Sequence, residues 1–175
     1  MDALGIGRAH VVGFSLGGRI AQSLAARHPE RVKGLVLVVT AARSPHRDPI
    51  VAFLFWTLVR MVRKPGFWEK NALTRYPPTT ASFLRQLEAQ KAYDGRSVLK
   101  KIKAPTLVVH GSKDLSNPRR FSRELAREIP GARLIEVPGD HFFIAKHPEW
   151  LNDPALKFLA EVDAKRDVPV SPQGR

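Results

Sequence analysis

Four short runs of β-branched and apolar residues constrain this chain more than anything else in it: Ala9–Phe14 (AHVVGF), Gly34–Thr40 (GLVLVVT), Pro105–His110 (PTLVVH) and Arg133–Val137 (RLIEV). Each is closed off by Gly, Pro or polar residues, as strands buried on both faces of a parallel sheet are. Between the first two, Leu16, Ile20 and Leu24 recur every four residues until Pro29, which predicts a helix with one apolar stripe. Arg119–Ile129 carries Phe121, Leu125 and Ile129 at the same spacing, and a last helix is expected over Glu149–Val162 with Leu151, Ala155, Leu156 and Leu159 inward. Strands alternating with helices specify an α/β fold built of βαβ units. The stretch Ser44–Lys103 breaks the alternation. It has helical windows at Ile50–Arg63 and Thr80–Tyr93, split by Lys64-Pro65-Gly66 and Tyr76-Pro77-Pro78, and no clear strand. It reads as a helical insertion between two strands. The expected organisation is therefore a core from 1–40 and 104–167, an insertion over 41–103, and a flexible tail over 168–175.

At the junction of the first strand and first helix stands Gly13-Phe14-Ser15-Leu16-Gly17, a G-x-S-x-G motif. A sharp strand-to-helix turn lifts a serine hydroxyl above the sheet, and glycines beside it remove Cβ atoms that would collide there. The helix N-terminus then aims free amides, the Leu16 N–H among them, at any oxyanion formed on Ser15. The bland alternative is that Ser15 only caps the helix.

A serine at its free pKa is a poor nucleophile, so it needs a base and the base needs an orienting acid. Both should lie at the strand ends that hold Ser15. Pro105–His110 runs into Gly111-Ser112-Lys113-Asp114, and Arg133–Val137 into Pro138-Gly139-Asp140-His141, which nominates Asp114 and His141. Asp114 could instead be a turn residue making a local backbone bond, and His141 a loop histidine. His110 is the rival base. His10 lies in a strand, His28 at a helix end, His46 and His147 on the expected surface, and Asp140 should point away from its neighbour His141.

With these residues in place the chain resembles the α/β-hydrolase superfamily, through GFSLGG after a strand, ARHPERV, GLVLV, APTLVVHGSKD and PGDH. Small serine esterases, enol-lactonases and cofactor-free perhydrolases are the nearest in pattern. The resemblance covers nearly all of the chain outside the insertion. It implies a partial α/β-hydrolase fold, Ser15 as nucleophile, Asp114 as acid, His141 as base, and the insertion as a helical cap over the site. It implies carboxylic ester or lactone hydrolysis through an acyl-enzyme, with no metal or organic cofactor; perhydrolase, thioesterase and C–C hydrolase chemistry use the same three residues. Serine at the elbow argues against the branches that use aspartate there. The family places strands and an oxyanion loop before the elbow, a part on the order of eighty residues at usual element lengths. Met1–Gly5 matches the last turn of the helix before the elbow strand. The first strand is then expected at an open edge of the sheet, to be covered by a preceding segment or a second copy. The alternative reading is a catalytically incomplete hydrolase fragment without the second oxyanion donor.

Composition narrows the partners. The 175 residues hold no Cys and carry a net charge of +13, which excludes a disulfide framework and a Cys-based metal site. Residues 41–104 contribute 13 basic and 4 acidic side chains, so most of the excess sits in the insertion. No nucleic-acid module accompanies it. The longest apolar run, Ile50–Val59, is about half the ~20 residues a membrane span requires. Met1–Gly5 has neither the basic start nor the apolar stretch of a signal peptide, so a cytoplasmic protein is the expectation. The apolar helix with a basic end at Ile50–Arg63 could rest on an anionic membrane, but the favoured reading buries its apolar side over the site. A small-molecule substrate with an apolar acid part or leaving group is expected, met by Phe53, Phe55, Trp56 and Trp68.

Overall fold

Four parallel strands in the order β1-β2-β3-β4 form the centre of the computed structural model, which describes residues 1–71 and 76–165. They are β1 (Ala9–Phe14), β2 (Val32–Val38), β3 (Thr106–Gly111) and β4 (Arg133–Val137). The order follows the chain, so every connection crosses to the next strand in the same direction. Helix α1 (Leu16–Arg27) joins β1 to β2, and α6 (Arg119–Glu128) joins β3 to β4. Helices α7 (Phe143–Lys146) and α8 (Glu149–Ala164) follow the last strand. The four strands lie within two residues of the runs expected for them, and the expected tail at 168–175 falls outside the described residues.

Successive side chains of a strand point to opposite faces, and β2 shows why its run is continuously apolar. Leu35 and Leu37 enter a core with Ala21 and Ala25 of α1 and Leu125 of α6, while Val36 and Val38 enter another with Phe143 and with Phe158 and Val162 of α8. Both faces are dry over Leu35–Val38, so none of these four positions is free for a polar residue, and the strand's one charged residue, Lys33, stands near its start. Among the described residues β1 has a neighbour on one side only, and its Val12 is 53% exposed. The turn expected at Met1–Gly5 is a single 3₁₀ turn, Asp2–Leu4, closed by Gly5 at φ 63°.

Two helix faces differ from expectation. α1 buries Gly18, Ala21 and Ala25, while Ile20 of the expected stripe is 64% exposed. Small residues let the helix approach the sheet closely; a Cβ on Gly18 would stand 2.5 Å from the Thr40 side chain. The bulkier Leu16 and Ile20 are displaced to the flank. In α8 the inward set includes Ala155, Phe158 and Val162, and Leu156 is 67% exposed. Leu156 follows Ala155 by one residue, a turn of about 100° that carries it off the face.

Residues 41–103 form helices α2 (Pro49–Val62), α3 (Phe67–Asn71), α4 (Thr80–Ala92) and α5 (Arg96–Leu99), with no strand among the described residues apart from an isolated bridge, Arg43 with Asp94. Asp48 starts α2 by accepting from the amides of Ile50 and Val51, and Thr79 starts α4 by accepting from Ser82. The insertion is tied back to the core where Tyr93 Oη donates to Arg19 C=O at 3.2 Å and where Arg120 of α6 pairs with Asp48. α2 is apolar on more than one side. Leu54, Phe55 and Leu58 face a cavity above the sheet, Val51 and Val62 are buried, and Phe53 and Trp56 stack on each other on the outer surface. Trp68 donates its indole N–H to Thr80, so of the four aromatics expected to meet substrate only Phe55 lines that cavity. Among the described residues, no helix is long and apolar enough to cross a membrane.

Candidate active site

Ser15 occupies the sharp turn between β1 and α1 at φ 49° and ψ −114°, a conformation that a residue with a Cβ seldom adopts. Such a residue persists only where its surroundings hold it, at a cost of about 1–3 kcal/mol. Here Ser15 N–H donates to Val38 C=O at 2.9 Å, Thr40 Oγ1 donates to Ser15 C=O at 2.6 Å, and Gly18 N–H donates to the same carbonyl at 3.0 Å. Val39, between those two anchors, is itself left-handed at φ 41° and fully buried. The two strand tips therefore brace one another.

The glycines differ in what they do. A Cβ on Gly13 would lie 2.7 Å from Gly17 O and Gly18 Cα, backbone atoms that cannot swing aside, whereas a Cβ on Gly17 meets nothing within 4 Å. The close approach is made by Gly13 and Gly18, and the second motif glycine is sterically free. Gly13→Ala is expected to cost about 1–3 kcal/mol as overpacking, read as a lower thermal midpoint, while Gly17→Ala, in a helical position with open space, should hold the midpoint or raise it by about 1–4 °C.

His141 follows β4, and its Nε2 stands 2.9 Å from Ser15 Oγ. Its Nδ1 stands 2.9 Å from Asp114 Oδ2. The imidazole lies between the rings of Phe14 and Phe142, at centroid distances of 5.4 and 5.1 Å, which limit its swing. Asp114 follows β3, and its side chain is wholly buried. Its Oδ1 accepts from the amides of Ser116 at 2.8 Å and Asn117 at 2.9 Å. One carboxylate oxygen is thus fixed by the backbone and the other is left for His141. The three residues nominated from three separate strand ends meet in one continuous line.

The other histidines stand elsewhere. His110 is buried and hydrogen-bonded through Nδ1 to Ser122 of α6 at 3.2 Å, and burial holds its imidazole below the ordinary histidine range. His10 pairs with Asp163, and His147 with Glu149. His46, expected on the surface, is half-buried against Phe55 and hydrogen-bonded to Ser44. Asp140 accepts from Phe142 N–H at 2.8 Å and so points away from His141. Among the described residues no cluster of His, Asp and Glu is arranged to hold a metal ion.

Leu16 opens α1, so its N–H has no carbonyl one turn back and is directed out of the helix beside Ser15. A cavity of about 320 Å³ lies over Ser15 and His141, walled by Leu54, Phe55 and Leu58 of α2 and by Phe83 and Leu87 of α4. Sequence reasoning missed two residues here. Thr40 gave no signal, because it braces Ser15 from a different strand. Arg19 also lines the cavity and is only 4% exposed. Its position four residues after Ser15 was the available clue, since such pairs share a helix face.

Residues 1–87 match the family described as the alpha/beta hydrolase fold. The chain is 32% identical to RutD of Azorhizobium caulinodans, whose name assigns it to carbamate hydrolysis, over 93% of this chain and 70% of that protein. It is 33% identical to a 2-hydroxymuconate semialdehyde hydrolase of Pseudomonas putida, over 94% of this chain and 66% of that one. The crystal structure of an enol-lactonase from Burkholderia xenovorans LB400 superposes with a TM-score of 0.71 at 29% identity, covering 91% of this chain and 68% of the other.

Proposed function

This chain belongs to the α/β-hydrolase family and is a hydrolase, and on that premise we propose that it cleaves carboxylic ester or lactone bonds through Ser15, His141 and Asp114. The observation that carries the reading is the unbroken line from Asp114 Oδ2 through His141 to Ser15 Oγ, with both contacts at 2.9 Å. Ser15 Oγ attacks the acyl carbon while His141 Nε2 takes its proton. The bond to the leaving oxygen breaks as His141 returns that proton to it, leaving an acyl-enzyme. Water, deprotonated by the same nitrogen, then releases the acid and restores Ser15. Asp114 holds the imidazole with its proton on Nδ1 and stabilises the imidazolium. The Leu16 N–H is the oxyanion donor beside Ser15. Residues 41–103 act as the cap, and the apolar walls from α2 and α4 suit an apolar acyl or alcohol part. These steps use no metal or organic cofactor. The relatives' printed names, a carbamate hydrolase, a semialdehyde hydrolase and an enol-lactonase, differ in the bond attacked, and the bond chosen here rests on the acyl chemistry of a serine nucleophile.

A fluorophosphonate probe tests the assignment independently of substrate choice. It should attach at one mole per mole, with the adduct on the peptide containing Ser15, and heat-unfolded protein should take up none. An unmodified Ser15 after prolonged exposure of folded protein would overturn the reading. Labelling without turnover of any ester or lactone would keep Ser15 as the reactive serine and remove ester and lactone cleavage from the reading.

A further inference from the structure

We propose that Arg19 makes the cavity over Ser15 selective for esters or lactones that carry a free carboxylate, which its guanidinium binds one helical turn from the reacting carbonyl. The proposal rests on the hydrolase reading of Ser15 and deepens it by naming a substrate class. Arg19 is 4% exposed, yet no carboxylate lies within salt-bridge distance of it among the described residues. A buried arginine without a counter-charge is costly and uncommon. Its Nη1 donates to the Gln90 carbonyl of α4 at 3.3 Å. Its Nε is fully buried and has no hydrogen-bond partner. Nε is thus closed to a ligand, and the edge at Nη2, which has no partner among the described residues either, is what Arg19 can offer the cavity.

The placement of this edge is set by the helix. Ser15 immediately precedes α1 and Arg19 is the fourth residue of that helix, so the two stand about one turn apart along the chain. Helical side chains lean toward the N-terminus, which turns the guanidinium back toward Ser15, and both residues line the same cavity as His141. Tyr93 Oη donates to the Arg19 carbonyl at 3.2 Å and ties this turn of α1 to the cap. The nearest acid on α4, Glu88, is paired with Lys91 at 2.7 Å. The other cavity walls are mainly apolar. A cation without a counter-charge in an apolar chamber beside a nucleophile selects an anionic substituent on the substrate, and a carboxylate oxygen is the acceptor that an N–H of the guanidinium binds in a charge-assisted hydrogen bond. Burial lowers the guanidinium's affinity for its proton, yet arginine stays charged at neutral pH, so the positive charge is permanent.

The test compares 4-nitrophenyl hydrogen adipate with 4-nitrophenyl hexanoate, which have similar length but differ in the terminal charge. A second pair, 4-carboxyphenyl hexanoate and phenyl hexanoate, puts the charge on the leaving group. The parent should favour the anionic member of at least one pair by about 10- to 100-fold in kcat/KM, the range expected for a charge-assisted hydrogen bond. Arg19→Met should erase that preference through KM, read as the ratio of kcat/KM for the charged and the neutral ester, and Arg19→Lys should restore part of it. Equal treatment of charged and neutral esters by the parent, or an equal loss on both in Arg19→Met, would overturn the proposal. If no ester is turned over, the hydrolase reading fails separately. Calorimetric titration with adipate then decides: binding to the parent that is lost in Arg19→Met supports the carboxylate site, and no binding to the parent overturns it.

Discussion

Ser15→Ala is expected to lower kcat on short 4-nitrophenyl esters by roughly 10⁴- to 10⁶-fold, the range seen when the nucleophile of a triad is removed. The substitution deletes one oxygen. It leaves the backbone bonds from Ser15 N–H to Val38 and from Thr40 to Ser15 C=O in place, because neither uses the hydroxyl. The circular dichroism spectrum and thermal midpoint should therefore match the parent, and substrate should still bind. A residual rate within tenfold of the parent would remove Ser15 from the mechanism.

Asp114→Asn should cost about 10⁴-fold in kcat with the fold intact, and the reason is directional. Oδ1 of Asp114 accepts two backbone amides, from Ser116 and Asn117, so an asparagine must present its own oxygen to them. Its NH₂ is then forced toward His141 Nδ1. Donating there makes Nδ1 an acceptor and moves the imidazole proton to Nε2, where it faces Ser15 Oγ. The base would then meet the nucleophile with a hydrogen in place of a lone pair. Because the two amide contacts survive, the loss should appear in kcat without loss of the folded protein. A kcat within tenfold of the parent would show that Asp114 is an architectural turn residue.

The residues that meet at this site were legible because each is announced locally. Ser15, Asp114 and His141 stand within four residues of a strand end, and parallel strands deliver their C-terminal ends to one side of the sheet. Which face of each helix is buried was less legible. Periodicity marked Ile20 and Leu156 as inward, but it cannot see that Gly18, Ala21 and Ala25 permit a closer approach than leucines do. In the insertion the apolar residues of α2 surround the helix, so composition could not separate Phe55, which meets the cavity, from Phe53 and Trp56, which face outward. Thr40 and Arg19 were hidden for another reason. Their roles depend on a residue of another element, Ser15 for one and Gln90 of α4 for the other, and no local pattern encodes such a meeting.

The two residues at positive φ, Ser15 and Val39, bear on which substitutions the strand tips can accept. Glycine adopts such angles without the cost a side chain brings, so at Ser15 the exchange would ease the backbone and remove the hydroxyl. At Val39, which is fully buried, the same exchange would ease the backbone and open a cavity in the core. Each position thus trades backbone comfort for a side chain, a hydroxyl over the sheet in one case and filled core in the other.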